Sequence, residues 1–445
     1  MGLHLSDKKH LSISALLSKV KDCFKKVTEP ERKKQGKSSK ISIVDCLMSG
    51  LALFGLKFPS LLQFDERRKS DKFVIHNLKT LYGVDLAPSD TYFRERLDEV
   101  NPREIRPAFN AVFSALQRGK FLEAYQYLNG YHLIMLDGTG HFSSSEVHCE
   151  NCCVKEHSNG TKTYYHQMLG AAIAHPDRKE VIPLCPEPIL KQDGKTKNDC
   201  ERNATHRLLS DFRREHPHLK AIIVEDALSS NGPHIKFLKS HDLHFIIGVK
   251  PDGNKSLFEW VGKLSDKDYE EVQFQDKQGI QHRIRFINKV PLNDAHPDLE
   301  VNFLEYWETD LKGNISHFTW ITDISITKLN AHALLRGGRA RWKIENETFN
   351  TLKNQGYHFE HNFGHGNNHL CTTLGLLMFL TFLIDQAHQL TSSLFQAALE
   401  KMRSKTVLWE QQRVLFFGYY INDWSDLYNS IAHGHKGAVL TPDSS

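Results

Sequence analysis

Apolar residues recur at helical spacing from the start of the chain. Ile13, Leu16, Leu17, Val20, Phe24 and Val27 form one stripe, with Lys19, Lys21, Lys25 and Lys26 mostly off it, which predicts a basic amphipathic first helix. Residues 32–40 (RKKQGKSSK) have almost nothing to bury and read as a polar linker. Residues 41–56 are strongly apolar and predict a core helix. Two further helices follow over 71–82 and 89–100, separated by Gly83 and Pro88, with Ser89 a natural N-cap. Arg94 and Arg96, if they face outward, make this pair compatible with a helix-turn-helix.

From Tyr131 the periodicity shortens. Strands are predicted over 132–137, 164–174 and 181–184, then a helix near 199–215, a strand over 221–225, a helix near 233–240 and a strand over 244–249. Pattern alone gives a mixed α/β domain. Further strands over 270–275, 281–287, 301–308 and 315–322, with turns at Lys277-Gln278-Gly279 and Lys312-Gly313-Asn314, predict a β-rich insertion. The segment after Leu370 is helical and rich in Leu and Phe. Its apolar run, 370–384, is short for a membrane span and carries Thr372, Thr373 and Thr381, so it reads as a buried core helix and no membrane association is expected.

Two of the apolar runs lead into carboxylates. Leu133-Ile134-Met135-Leu136 precedes Asp137, and Ile222-Ile223-Val224-Glu225 precedes Asp226, so each reads as a buried strand ending in an acid. Glu225 should point to the opposite face from its neighbour. Glu345 sits in a charged helix-forming stretch, with Arg341 one turn earlier on the same face and Glu347 a weaker rival for its role. Two strand-end aspartates and a helix glutamate are a donor set for a pair of hard divalent cations.

These residues resemble the DDE transposases of bacterial insertion sequences, in the ribonuclease H-like and retroviral-integrase superfamily. The resemblance spans roughly 131–370 and rests on Leu136-Asp137-Gly138-Thr139, Val224-Glu225-Asp226-Ala227 and Arg341-Trp342-Lys343-Ile344-Glu345. The arginine and glutamate of the family's signature match, whereas its tyrosine position is Gly338 and its lysine position Leu352, with Lys353 one step late. The resemblance implies a ribonuclease H-like mixed sheet with a β insertion at about 262–325. An all-helical N-terminal region (1–125, DNA binding) would precede the catalytic region (126–370), and a helical tail (371–445) would follow it. It implies Asp137, Asp226 and Glu345 as catalytic ligands of two Mg²⁺ ions, with Mn²⁺ able to substitute. It implies cleavage and strand transfer of double-stranded DNA at terminal inverted repeats and target DNA, by a homodimer on DNA. A nuclease or resolvase of the same fold, and a catalytically silent DNA-binding protein, are the rival functions.

Composition changes this picture at one end only. Residues 1–40 hold 11 Lys or Arg against 4 Asp or Glu, an excess of 7 in a chain of net charge +4, so the remainder sums to −3. Such an arm suits DNA phosphates, or is a solvated helix face and tether. No basic-then-apolar signal opens the chain, and eight scattered cysteines do not make a disulfide scaffold, so a reducing cytoplasm, at the nucleoid when on DNA, is expected.

The remaining candidates carry two readings each. Arg341, Lys343 and Lys353 are candidate DNA contacts or ordinary surface charges, and Trp320 either stacks on an extruded base or is buried in the sheet. Cys149, Cys152, His157 and His166 are candidate zinc ligands or reduced cysteines and histidines in a loop. His358, His361, His365 and His369 are interrupted by glycines and read as a loop near DNA or the active site. Asp199-Cys200-Glu201 starts a helix, where acids complement the dipole or support the site.

Overall fold

Ser12, Ser42, Ser60, Asp71 and Ser89 each start a helix by accepting a backbone N–H two or three residues on, which satisfies donors the helix itself cannot. The computed structural model of the protein describes residues 8–30, 41–191 and 200–434; the linker predicted over 32–40 and Asp199 lie outside them. The N-terminal helices are α1 (Ile13–Phe24), α2 (Ile43–Gly55), α3 (Leu61–Ser70), α4 (Lys72–Tyr82), α5 (Asp90–Asp98) and α6 (Arg106–Arg118). Leu16, Leu17, Val20 and Phe24 of α1 are buried while Lys25 and Lys26 are exposed, as the stripe requires. Arg96 does not face outward. It is buried, paired with Glu29 and donating to the Pro30 carbonyl at 2.9 Å, so of the two arginines on α5 only Arg94 reaches solvent.

The strands are β1 (Gln126–Tyr127), β2 (Tyr131–Ser144), β3 (Cys153–Glu156), β4 (Lys162–Ala174), β5 (Ile182–Pro183), β6 (Glu187–Ile189), β7 (Ala221–Glu225), β8 (His244–Gly248), β9 (Glu270–Gln275), β10 (Gln281–Asn293), β11 (His296–Thr309) and β12 (Ile315–Thr322). β2 is antiparallel to β4, which carries the short β5 and β6 on its other edge, and β2 is parallel to β7, which is parallel to β8. Three antiparallel strands followed by two parallel ones, with the first strand central, is the ribonuclease H-like arrangement. α7 (Glu201–Glu215) and α8 (Gly232–Ser240) supply the crossovers to β7 and β8. β7 is buried at every position, which explains its uninterrupted apolar run.

Two sequence expectations are corrected by this sheet. β2 does not end at Asp137 but runs on to Ser144, because its antiparallel pairing with β4 outlasts its parallel pairing with β7, which stops at Met135 and Val224. The strand expected over 181–184 shrinks to two residues beside Pro183, which has no N–H to donate, and pairing resumes at β6. The expected β insertion, preceded by α9 (Lys255–Gly262), extends the same sheet, because β12 pairs antiparallel with β8 through Trp320, Ile321 and Thr322.

After β12 come α10 (Ala331–Arg339), a π-helical turn (Ile344–Phe349), α11 (Asn350–Asn354), α12 (Leu370–Thr391), α13 (Ser393–Met402), α14 (Lys405–Gly418) and α15 (Trp424–His433). α12 is long and apolar enough to cross a membrane, yet it is buried inside the fold, packing on α2, α5 and α6 and on β5. Its one acid in the apolar stretch, Asp385, bonds Lys57 Nζ at 2.7 Å and accepts from the Tyr357 hydroxyl at 2.5 Å. Lys57 is 2% exposed and its ammonium also lies 3.7 Å from the Tyr357 ring centroid. Burial drives its pKa below the ordinary lysine value against the pull of Asp385.

Removing one partner of this pair leaves a buried charge without compensation. Asp385→Ala should cost about 3–5 kcal/mol in denaturant unfolding, and the double variant Lys57→Met, Asp385→Leu should recover most of it. A loss below about 1 kcal/mol for Asp385→Ala would mean that the pair is solvated.

Candidate active site

The candidate acids lie where β2 and β7 part, with Asp137 and Glu345 joined through Arg341. The parallel register sets Leu133 beside Ile222 and Met135 beside Val224, so two residues further on Asp137 and Asp226 lie at equivalent heights at the C-terminal end of β7. Asp226 caps the single helical turn that follows, accepting from the Leu228 N–H at 2.9 Å. Glu225 points away, buried and bonded to His234 at 2.6 Å and to Ser229 at 3.1 Å.

Glu345 is brought in by packing that depends on a glycine. Gly170 pairs directly with Asp137 across β2 and β4, and a Cβ there would lie 2.5 Å from the Phe349 ring. Phe349 ends the π-helical turn that carries Glu345, so the absence of a side chain at Gly170 lets this turn lie on the sheet beside Asp137. Arg341 then joins the two acids. Its guanidinium bonds Asp137 Oδ2 at 2.8 Å and Glu345 Oε1 at 2.8 Å. Burial pushes the Asp137 carboxyl up to about 6; Arg341 opposes this, and a hydrogen bond shared with Glu345 adds to it.

A fourth acid arrives from the other face. The position a Cβ on Gly138 would take lies 2.2 Å from Glu201 Oε1, so a side chain there would push aside this acid from the first turn of α7. Burial raises the Glu201 pKa, and the charge of Asp226 raises it further. The sequence left Glu201 two roles, complementing the helix dipole or supporting the site. Glu347 lies on the side that faces Lys405 and makes no contact with Asp137 or Arg341 among the described residues.

The other candidates fall at varying distances from this cluster. Lys343 donates to the Arg178 carbonyl at 2.6 Å, and Lys353 pairs with Glu360 at 2.7 Å. Trp320 is 7% exposed, with its indole against Gly338, whereas Trp342, 52% exposed, stands beside Arg341 with the guanidinium carbon 5.1 Å from its ring centroid. A cleft of about 350 Å³ between the insertion and α10 is lined by Arg336, Arg339, Lys343, His282, Tyr306 and Glu308. Cys149, Cys152 and His166 come together, joined by His365. His157 does not join them: its ring bonds Thr163 at 2.8 Å, on the exposed hairpin of β3 and β4.

All donors of the acidic cluster are carboxylate oxygens, the hard donors that divalent cations of the Mg²⁺ kind prefer, and burial raises the pKa of Asp137 and Glu201, with a neighbouring acid adding to each shift. The residues therefore fit such ions. The site thus sets an acid within the central strand β2, one directly after β7 and one on a following helical turn of a ribonuclease H-like sheet. The chain belongs to the Transposase DDE domain family, whose profile matches residues 154–383, a span that contains Asp226 and Glu345 and begins after Asp137. The cryo-EM structure of a piggyBac transposase synaptic complex with hairpin DNA is similar over 95% of this chain and 79% of that one, at 12% sequence identity and a TM-score of 0.42. No curated protein matches the chain.

Arg341 holds the Asp137 carboxyl below the value that burial alone would set. Arg341→Met should therefore move the Asp137 pKa upward from about 6, as read by carboxyl NMR of the metal-free protein. A value that stays put or falls would show that the guanidinium does not act on Asp137.

Proposed function

We propose that this protein is an active transposase that cuts DNA strands at the ends of a mobile element and joins them to target DNA. The observation that carries this reading is the contact of Asp137 and Glu345 through Arg341, beside Asp226 and Glu201 at one end of the parallel strands. Asp137, Asp226 and Glu345 would hold two Mg²⁺ ions, with Glu201 nearby. Bound there, such ions activate a water or 3′-hydroxyl and stabilise the leaving oxygen in an in-line displacement.

The chain's own residues do the positioning. Gly170 and Phe349 fix the turn carrying Glu345 on the sheet, so the ligands are placed before DNA arrives. Arg341 neutralises the two acids in the free protein, and with the acids occupied its fork is suited to a phosphate of the bound strand. The cleft with Arg336, Arg339 and Lys343, whose arginines pair with Asp177 and Glu308 in the free protein, supports a path for the DNA backbone. Trp342, exposed next to Arg341, offers an apolar face for an unpaired base there. Double-stranded DNA at inverted repeats is thus the proposed substrate. A homodimer on DNA is proposed to bring two ends together, with the helices before residue 126 and beyond 370 surrounding the catalytic sheet.

The test is a strand-cleavage and joining assay on paired DNA ends with Mg²⁺. Asp137→Asn, Asp226→Asn and Glu345→Gln should each lower cleavage by roughly 100–1,000-fold or more while DNA binding persists. Glu347→Gln should retain activity. Cleavage without joining by the intact protein would make it a nuclease. Undiminished cleavage by Asp226→Asn would refute the assignment of the site.

A further inference from the structure

Four side chains outside the acidic site converge with metal-binding geometry. Cys149 and Cys152 lie in the turn between β2 and β3, His166 is on β4, and His365 comes from the segment between α11 and α12, 199 residues beyond His166. The Cys149 and Cys152 sulfurs are 3.8 Å apart, and His166 Nε2 lies 3.5 and 3.3 Å from them. His365 Nε2 is 3.3 Å from the Cys152 sulfur and 3.2 Å from His166 Nε2. All eight cysteines are free, so the first of these distances is not a disulfide.

The distances discriminate between a packed polar cluster and a coordination shell. With Zn–S near 2.3 Å and Zn–N near 2.0–2.1 Å at tetrahedral angles, the edges between ligand atoms come out at about 3.8 Å for sulfur to sulfur, about 3.5 Å for sulfur to nitrogen and about 3.3 Å for nitrogen to nitrogen. The observed edges fall within a few tenths of an ångström of these. Four acceptor-rich atoms this close and this buried cannot satisfy one another by hydrogen bonds alone, because each pair needs a proton between its members. Cys152 and His166 are each 1% exposed and His365 is 6% exposed. The His365 Nδ1 faces the Gly366 carbonyl at 2.8 Å, a bond that fixes the proton on Nδ1 and leaves the Nε2 lone pair for the cluster.

We propose that Cys149, Cys152, His166 and His365 form a closed, structural Cys₂His₂ zinc site. All four positions are taken by protein, so the ion has no open coordination place for water or substrate and its role is mechanical. It staples the tip of the hairpin formed by β2 and β4, the strands of Asp137 and Gly170, to the segment that follows the turn of Glu345. The far side of that segment is held independently. The Asp98 carboxylate accepts the backbone N–H groups of Asn367, Asn368, His369 and Leu370 at 3.0–3.1 Å, and Gly366 adopts a positive φ of 72°. The zinc site would therefore keep the two halves of the acidic cluster, 208 positions apart between Asp137 and Glu345, in one frame.

The proposal is independent of DNA cleavage and is tested without it. Full-length protein expressed with zinc should contain about one tightly held zinc per chain, retained on dialysis against Mg²⁺ buffer. X-ray absorption at the zinc edge should show two sulfur and two nitrogen neighbours. Replacement by Co²⁺ should give the visible bands of a tetrahedral site with sulfur charge transfer. Cys152→Ser and His365→Ala should lose the metal, and His157→Ala should keep it. Because the first two variants could fail to fold, His365→Cys provides a second arm: it should stay metal-loaded, with three sulfurs at the edge and stronger charge transfer. Protein with well under one zinc per chain after zinc-supplemented expression, a Cys149–Cys152 disulfide by mass spectrometry, or an unchanged sulfur count in His365→Cys would each overturn it.

Discussion

The acidic cluster depends on holding like charges together in a half-buried place, and Arg341 is the group that does so. Two carboxylates about 4 Å apart at an effective dielectric near 20 repel by about 4 kcal/mol, comparable to a large share of a protein's net stability. The guanidinium, at 2.8 Å from both Asp137 and Glu345, offsets that repulsion without excluding either acid from a cation. Burial nonetheless raises the pKa of Asp137, with Glu345 adding to it. A site in this state is poised to accept positive charge, which is the physical content of a divalent-metal assignment.

The rest of the fold supplies fixed positions for that contact. β2 and β7 carry the aspartates to equal height, Gly170 admits Phe349 and with it the turn of Glu345, and Gly138 admits Glu201 from the opposite face. α12, stationed between the N-terminal helices and the sheet, ties the helical part to the catalytic part, and the buried pair of Lys57 and Asp385 fixes its register. An insertion that extends the main sheet through β12, rather than hanging from it, brings the aromatic faces of Tyr306 and Phe318 alongside Arg339 of α10.

Much of this was legible in the sequence where one strand or helix determines the outcome. The apolar runs before Asp137 and Asp226, the helix-capping Ser89, and the strand pattern of the insertion follow from local periodicity and capping chemistry. Glu345 needed the likeness of its segment to a known signature. What periodicity could not supply was long-range approach. His365 reads as one histidine among four in a glycine-broken stretch until the fold sets it beside Cys152, 213 positions earlier, and His157, nearer in sequence, turns to Thr163 instead. Glu201 looks like an ordinary helix-start acid until Gly138 makes room for it. Arg96 sits at an exposed-looking position, but Glu29 draws it inward. Trp320 is buried with its indole against Gly338 on α10, where a side chain would collide with it.

The central claim is that the acids act as one cation-binding unit. The most direct measurement is an anomalous-scattering map of crystals of the protein with a DNA end and Mn²⁺. The account predicts manganese density between Asp137, Asp226 and Glu345, with carboxylate oxygens as its protein ligands. Manganese bound elsewhere, with these carboxylates still paired only to Arg341, would contradict it.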